Sequence, residues 1–217
     1  MNVLIEDISS VQDEDLQNKP DYVTDERWKK ILRIRPLEDK KRSLLAGKLL
    51  CQMCEKYGIA NPVYGTVGSG KPILLDHSQL AFSLSHSGEY VVLVYDEVVK
   101  AIGVDIQQIR AVSEGVKKRI LHEKEWLHFH NAGDQKDVSI KEMDEILTME
   151  NLLLNRIWAI KESYVKMTGE GLSHDFRKLC IDFEEGTVTD ENLLSAYYKE
   201  LEVPDGYVAA VTIDNKE

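Results

Sequence analysis

The strongest constraint on the fold is a pattern of secondary structure that occurs twice along the chain. A long helical segment followed by two strand-like segments is predicted in each copy: helix 25–57, interrupted at Pro36, with strands 81–85 and 90–95, and helix 152–167 with strands 178–183 and 207–213. Tyr90 then corresponds to Tyr207, and Arg42 to Arg156, at nearly the same offset. We therefore expect two similar halves built from one duplicated unit.

The fold class predicted from this pattern is α/β (α+β). The halves are expected to divide near 98–101, giving an N-terminal half of residues 1–98 and a C-terminal half of residues 99–217. The remaining predicted elements are strands at 3–5 and 101–106, a helix at 116–130, and a loop that contains the sequence GTVGSGKP at 65–72. Gly169 and Gly171 are suited to end the second long helix. Any active site is expected in the crevice between the halves.

Length and hydropathy restrict the class of protein. A chain of 217 residues, 43% of them hydrophobic, can bury a proper core. The longest apolar runs, such as Tyr90–Tyr95, are far shorter than a membrane span, and the acidic start differs from a signal peptide. Three cysteines provide no disulfide framework. We expect a soluble cytoplasmic protein.

The net charge of −11 argues against a general binder of nucleic acid. This average conceals an uneven distribution, because ten basic and three acidic residues stand between Arg27 and Lys56. That segment carries +7 and the remainder −18. Two interpretations remain open: a solvated helical face, or a local anion site on a protein that otherwise repels anions.

Two motifs approach known sites but lack an essential part. GTVGSGKP nearly matches the phosphate-binding loop G-x-x-x-x-G-K-[ST], but Pro72 replaces the hydroxyl that would hold Mg²⁺. Lys71 is then either a surface lysine or a phosphate contact. Cys51 and Cys54 form a lone C-x-x-C pair, for which core packing is favoured over zinc or redox chemistry.

Polar residues follow or interrupt two apolar strands. Strand alternation places Ser83 and Ser85 on one face, with His86 at the strand end, where it is either structural or a phosphate contact. Asp105 and Gln107 share a face of the next strand. They are either exposed at a strand end or oxygen ligands of Mg²⁺.

The segment RIWAIKESYVK is the most informative one. Helical periodicity places Trp158, Glu162 and Lys166 on one face, opposite an apolar stripe. An exposed pair of Glu162 and Lys166 is the simple interpretation. The tryptophan indicates instead that this face is also covered, which would place Glu162 and Lys166 at an internal crevice.

Four segments in this order resemble the phosphopantetheinyl transferases, specifically the surfactin-synthetase-activating type: Gly70-Lys71-Pro72, FSLSHS (82–87), IGVDIQ (102–107) and WAIKESYVK (158–166). An acid after I/V-G-I/V, followed by W-x-x-K-E-x-x-x-K, is the signature of that family. The resemblance extends from about Arg27 to the last strand. It implies an intramolecular pseudo-dimer with the active site at the interface of its halves. It also implies transfer of phosphopantetheine from coenzyme A to a serine of an apo acyl or peptidyl carrier protein, leaving adenosine 3',5'-bisphosphate.

The resemblance further implies roles for single residues. Asp105 matches the principal Mg²⁺ ligand and Glu162 the second one, whereas Gln107 stands where many members carry a carboxylate. Contacts to coenzyme A are implied for a set of mostly basic residues: Arg27, Lys30, Arg42, Lys71, Ser85, His86, Lys161 and Lys166. Lys166 matches the lysine at the pyrophosphate, and Glu125 falls at a further acidic position near the metal.

Several expectations follow from these roles. Because an amide oxygen is a weaker ligand for Mg²⁺ than a carboxylate, Gln107 predicts a raised Mg²⁺ requirement. The proton of the serine is expected to pass to Glu162, directly or through a metal-bound water, with Glu125 as the alternative. A non-catalytic module that binds coenzyme A or a carrier protein stays open as another function, and so does a phosphate-loop hydrolase weakened by Pro72. We expect a monomer that binds neither nucleic acid nor membrane.

Overall fold

The computed structural model describes residues 1–131, 140–191 and 195–214, without the side chains of 128–131, 140–146 and 172. It is a mixed α/β structure. The helices are α1 (Asp25–Arg33), α2 (Leu37–Lys56), α3 (Glu114–Ile120), α4 (Glu123–Asn131) and α5 (Ile140–Thr168). The strands are β1 (Asn2–Asp7), β2 (Tyr64–Val67), β3 (Lys71–Leu74), β4 (Ala81–Ser87), β5 (Tyr90–Asp96), β6 (Ile102–Gln108), β7 (Leu179–Asp182), β8 (Thr187–Asp190), β9 (Ala196–Glu200) and β10 (Tyr207–Ile213).

Local signals in the sequence account for several helix ends. Thr24 caps α1 by accepting a hydrogen bond from the backbone N–H of Arg27. The break predicted at Pro36 is confirmed, since α1 ends at Arg33 and α2 begins directly after the proline. Helix α5 ends before Gly169, whose φ of 80° is the left-handed conformation typical of a helix C-terminus.

Three predictions of local structure are wrong. The segment GTVGSGKP is not a loop, because β2 and β3 pair antiparallel as a hairpin across it. The single helix predicted at 116–130 is two helices, since the Glu125 carboxylate accepts the backbone N–H of His122 and so caps α4 at its own start. The sequence analysis also missed β8 and β9, which are only four and five residues long.

The two main sheets repeat one strand order. The first sheet is ordered β1-β5-β4, and the second begins β6-β10-β9 before continuing to β8 and β7. In the first sheet β1 pairs antiparallel with β5, with Leu4 opposite Leu93. In the second sheet β6 pairs antiparallel with β10 in the same way, with Val104 opposite Val211. A long helix precedes the last strands of each unit, α2 in the first and α5 in the second. This repetition is the arrangement that two similar halves require.

Three apolar clusters hold the sheets and helices together. One lies between α2 and the first sheet, and another lies between α5 and the second sheet. The third joins the two sheets to each other, with Val92 and Val94 of β5 packed among Val104, Ile106 and Val211 of the second sheet. Because these side chains are fully or almost fully buried, the junction between the sheets is part of the core.

Helix α5 packs very closely on β6. A Cβ atom added to Gly103 would lie 2.0 Å from the backbone oxygen of Ser163 and 2.4 Å from the backbone nitrogen of Met167. Only glycine therefore permits this approach. The close contact fixes the height of the C-terminal half of α5 above β6.

Among the described residues, no helix combines the length and the apolar character needed to cross a lipid bilayer.

Candidate active site

The site begins at the seam between β4 and β6, which a row of serines holds together. Alternate serines of β4 each accept a hydrogen bond from a backbone N–H of β6: Ser83 from Val104 (3.1 Å), Ser85 from Ile106 (3.4 Å) and Ser87 from Gln108 (3.0 Å). The serine face predicted from strand alternation thus points toward the other sheet. This seam brings the polar ends of the two strands to one crevice.

Asp105 is the centre of the polar cluster in that crevice. It is only 2% exposed, and its Oδ1 accepts hydrogen bonds from Ser85 Oγ (2.7 Å) and Lys166 Nζ (2.5 Å). Its Oδ2 accepts a hydrogen bond from Gln107 Nε2 at 2.6 Å. Lys166 also donates to Ser85 Oγ at 2.9 Å. Residues from β4, β6 and α5 therefore meet at one carboxylate, and each of these hydrogen bonds has a charged partner, Asp105 or Lys166.

Glu162 brings a second carboxylate to this cluster. It lies one helical turn before Lys166 and is 7% exposed. This burial agrees with the prediction, made from Trp158, that this face of the helix is covered. Its carboxylate forms no hydrogen bond with any side chain or backbone group in the described part of the chain. Burial and the charge of Asp105 raise its pKa to about 7, against the opposing effect of Lys166. Two buried carboxylates thus share one ammonium group.

The donor set fits a hard divalent cation such as Mg²⁺. Asp105, Glu162 and Gln107 would supply two carboxylates and one amide, which are ligands that Mg²⁺ accepts. Lys166 faces both carboxylates, so a bound cation would add the second positive charge that balances them. Gln107 turns its amide nitrogen toward Asp105, so its oxygen would ligate a cation only after the amide rotates.

A rim of two cations and a histidine lies beside the carboxylates. Loss of hydration lowers the pKa of His86, and the charges of Arg42 and Lys166 lower it further, which places all three groups in one neighbourhood. The Arg42 guanidinium donates to the backbone oxygen of Gly88 and, at 3.1 Å, to Asp39 Oδ1. Asp39, which orients Arg42, was not predicted from the sequence. The i,i+3 spacing on a predicted helix was the available signal.

The structure does not bring the other predicted cations to Asp105. Arg27 donates to the backbone oxygen of Ser43 at 2.8 Å and 3.2 Å, and desolvation lowers its pKa. Lys30 is exposed on α1. Lys71 donates to the backbone oxygens of Ile102 (2.7 Å) and Met167 (3.3 Å), and desolvation lowers its pKa to about 8. Arg27 and Lys71 therefore join structural elements in this state of the protein.

Glu125 and Lys161 also lie apart from the carboxylate cluster, and they are paired with each other. Lys161 is fully buried, and its Nζ donates to Glu125 Oε2 (2.6 Å) and to the backbone oxygens of Ile120 (2.7 Å) and Phe176 (3.2 Å). Glu125 Oε1 accepts the backbone N–H of Ile181 at 3.2 Å. All three ammonium hydrogens of Lys161 are thus engaged. This geometry gives the pair a structural place in the core, and its hydrogen bonds among the described residues do not include the Asp105 group.

Comparison with known proteins places these residues in a family. The model of the 4'-phosphopantetheinyl transferase superfamily matches residues 101–212. The 4'-phosphopantetheinyl transferase ffp of Bacillus subtilis is 29% identical over 88% of this chain and 81% of its own length. The 4'-phosphopantetheinyl transferase Sfp of Bacillus subtilis (strain 168) is 27% identical over the same shares.

Two other matches cover less of this chain. The L-aminoadipate-semialdehyde dehydrogenase-phosphopantetheinyl transferase of Mus musculus is 27% identical over 65% of this chain and 47% of its own. The crystal structure of Thermotoga maritima holo-[acyl-carrier-protein] synthase superposes with a TM-score of 0.38 and 20% identity, over 55% of this chain and 66% of that one. The family model covers just over half of the 217 residues and includes Asp105, Glu162 and Lys166. This chain therefore belongs to the 4'-phosphopantetheinyl transferase superfamily, a family of transferase enzymes.

Proposed function

We propose that this protein transfers the 4'-phosphopantetheine group of coenzyme A to a serine of an apo carrier protein, in a Mg²⁺-dependent reaction that releases adenosine 3',5'-bisphosphate. The observation that supports this most directly is the convergence of Asp105, Glu162 and Lys166 at the seam between the two sheets. All three lie in the segment that matches the family model. The matched transferases from Bacillus subtilis agree with this reaction class.

The reaction exchanges one phosphorus–oxygen bond for another. The serine oxygen of the carrier forms a bond to the phosphorus that bears pantetheine. The bond from that phosphorus to the bridging oxygen of the pyrophosphate breaks, and the bridging oxygen leaves with adenosine 3',5'-bisphosphate. The serine proton must pass to a base on the enzyme. The barrier arises from negative charge on the attacked and leaving groups, so positioning and electrostatic stabilisation supply most of the catalysis.

Lys166 is the group that we assign to the leaving phosphate. It already makes two short contacts at the seam, with Asp105 and Ser85. Its side chain remains partly exposed, at 29%, so its ammonium group can also face a ligand in the crevice. Arg42 and His86 extend this rim from Lys166, with Arg42 as a cation and His86 as a hydrogen-bonding group. We assign them to the phosphates of coenzyme A.

Asp105 and Glu162 are the residues that would hold Mg²⁺, with the amide oxygen of Gln107 as a third ligand. When bound, this ion supplies positive charge that stabilises the pyrophosphate oxygens in the transition state. Asp105 is held rigidly by three hydrogen bonds, which preorganises the position of its carboxylate. Gln107 contributes no charge, and we therefore propose that the Mg²⁺ requirement of this protein is higher than that of a variant with Gln107→Glu.

Glu162 is the residue that we assign as the proton acceptor. Burial and the charge of Asp105 raise the pKa of Glu162 to about 7 in the metal-free protein, and a bound cation would lower this pKa. We therefore base the assignment on the position of Glu162 at the crevice, from which it can take up the proton directly or through a water molecule. Glu125 does not fit this role, because Lys161 and two backbone N–H groups occupy its oxygens. The carrier's serine must therefore approach Glu162 in the crevice.

A mass-spectrometric transfer assay tests the proposal. Apo carrier protein, coenzyme A and Mg²⁺ are incubated with the enzyme, and the carrier is expected to gain the mass of phosphopantetheine. Glu162→Gln should abolish this gain while the variant stays folded. Glu184→Gln, at an exposed turn residue, serves as the matched control and should transfer normally. Near-normal transfer by Glu162→Gln would overturn the assignment of the base.

The same assay decides the second candidate function, a non-catalytic module that binds coenzyme A or a carrier protein. The orientation of Gln107, which donates to Asp105 instead of presenting its oxygen, is the observation that favours this candidate. A binding module would retain coenzyme A in equilibrium dialysis and leave the mass of every carrier unchanged. That result would overturn the transferase function.

A further inference from the structure

A second group of metal-ligating side chains lies beyond the end of α5. It consists of Glu170 and His174, which flank the short 3-10 turn Gly171–Ser173, and Asp190, the last residue of β8. His174 Nδ1 lies 2.5 Å from Glu170 Oε2, and His174 Nε2 lies 3.2 Å from Asp190 Oδ2. One donor atom from each residue falls within 4.8 Å of the others. The imidazole is thus placed between two carboxylates from separate segments.

The nitrogen of His174 that faces Asp190 is buried and unsatisfied. Nε2 has no hydrogen-bond partner among the described residues, and the whole His174 side chain is only 12% exposed. A buried polar atom without a partner calls for an explanation, such as an ion that it ligates. The Asp190 side chain, which faces this nitrogen, is 1% exposed. The unsatisfied nitrogen and the buried carboxylate therefore face each other.

The chemistry of these donors differs from that of the Asp105 group. One imidazole nitrogen with two carboxylates is a mixed N/O set, which suits Zn²⁺ and similar transition metal ions. Asp105, Glu162 and Gln107 offer oxygen atoms only, which suits Mg²⁺. The Glu170 side chain is 42% exposed, and Glu170 and His174 line an open cleft of about 540 Å³. An ion can therefore reach Glu170 and the His174 ring from solvent, and Asp190 lies behind them.

We propose that Glu170, His174 and Asp190 bind one divalent transition metal ion of the Zn²⁺ type, at a structural site separate from the Asp105 cluster. The ion ties the turn that follows α5 to the end of β8. This turn is the part of the chain that also supports the β2–β3 hairpin, because Gly169 accepts a hydrogen bond from the Ser69 backbone N–H at 2.9 Å. Metal binding therefore stabilises the end of the helix that carries Glu162 and Lys166.

Calorimetric titration of the full chain with Zn²⁺ tests the site. The protein is first stripped with EDTA and dialysed, and the titration is made in excess Mg²⁺ so that hard oxygen sites do not bind the added Zn²⁺. We expect one equivalent of Zn²⁺ to bind and to raise the midpoint of thermal unfolding. His174→Gln and Asp190→Asn should weaken this binding at least tenfold, and so should Glu170→Gln.

Two control variants and one variant at an exposed residue distinguish the loss of a metal ligand from a general effect on folding. His77→Gln and Glu191→Gln change the same residue types outside the group, and both should bind Zn²⁺ like the unmodified protein. Glu170 is substantially exposed, so Glu170→Gln should fold even if the buried variants do not. Absence of Zn²⁺ binding, or equal affinity in Glu170→Gln and in the unmodified protein, overturns the proposal and leaves His174 between its two carboxylates without a metal ion. Neither readout involves phosphopantetheine transfer, so this outcome is independent of the proposed enzymatic function.

Discussion

Adding one carbon atom at Gly103 should displace the residues of the site, although Gly103 itself is not one of them. A Cβ atom there would lie 2.0 Å from the Ser163 backbone oxygen, whereas ordinary contact begins at 3.4 Å. Both partners are backbone atoms, so no side-chain rotation can relieve the overlap. In Gly103→Ala, helix α5 must therefore move away from β6 by about 1.4 Å, or β6 must bend by a similar distance.

This displacement is large compared with the contacts that form the site. Lys166 lies 2.5 Å from Asp105 and 2.9 Å from Ser85, and Glu162 is on the same helix. A misplacement of about 1 Å can lower an enzymatic rate by about a hundredfold. Overpacking of a core typically reduces the free energy of unfolding by about 1–3 kcal/mol. We expect Gly103→Ala to show both losses.

Two measurements check this expectation. The initial rate of phosphopantetheine transfer at saturating coenzyme A and carrier reports the position of α5, and urea unfolding reports the stability. Gly115→Ala in α3 is the matched control, because the nearest atom to its added Cβ is Ser113 Oγ at 3.9 Å. The control should keep its rate and should gain up to about 1 kcal/mol from the helix propensity of alanine. A Gly103→Ala variant with the rate and stability of the unmodified protein would refute the reasoning.

Three further predictions concern charged groups. Lys166→Met should lower the transfer rate by about 10²–10³-fold, because it removes one donor to the developing charge. Lys199→Met, at an exposed position, is the control and should keep the rate of the unmodified protein. Similar rates in the two variants would contradict the role of Lys166. In EDTA, the raised pKa of Glu162 means that the unmodified protein loses stability as the pH rises from 4.5 to about 7. Glu162→Gln should not show this loss, and above pH 7 its free energy of unfolding should exceed that of the unmodified protein by about 3 kcal/mol. Urea unfolding of both proteins at pH 5 and pH 8 measures this difference in stability. The same difference at both pH values would be inconsistent with the shifted pKa. Lys161→Met should reduce the free energy of unfolding by about 3–5 kcal/mol, because it leaves Glu125 charged and buried. Chemical denaturation measures this free energy. The double variant Lys161→Met/Glu125→Gln should recover part of the lost stability.

Local periodicity predicted the parts of the site that one strand or one helix determines. Alternation placed Ser83 and Ser85 on one face of β4, and the 3.6-residue period placed Glu162 and Lys166 on one face of α5. Trp158 added the information that this face is covered, and its ring packs edge-on against Phe176 with centroids 5.7 Å apart. These features follow from the chain's own geometry, so a single sequence is sufficient to find them.

Hydrogen-bond partners that only the tertiary structure brings together could not be predicted from the periodicity of a single helix or strand. Lys161 and Glu162 are neighbours in the sequence, but about 100° around the helix separates them. One therefore faces the core beneath α4 and the other the crevice, and nothing in the K-E pair indicates which partner each finds. Arg42 likewise depends on Gly88, a residue that only the packing of α2 against the first sheet brings close.

The charge at the crevice arises from convergence and not from the density of basic residues along the chain. The segment from Arg27 to Lys56 carries +7, yet its Arg27 holds α1 against α2 and its Lys30 points to solvent. Only Arg42 of this set reaches His86, and Lys166 joins them from the helix that packs on the second sheet. An anionic substrate would therefore be recognised by two cations and a histidine from three elements, on a protein whose overall charge of −11 repels anions elsewhere. It follows that a change in the packing of the two sheets should weaken the binding of coenzyme A even when every basic residue is retained.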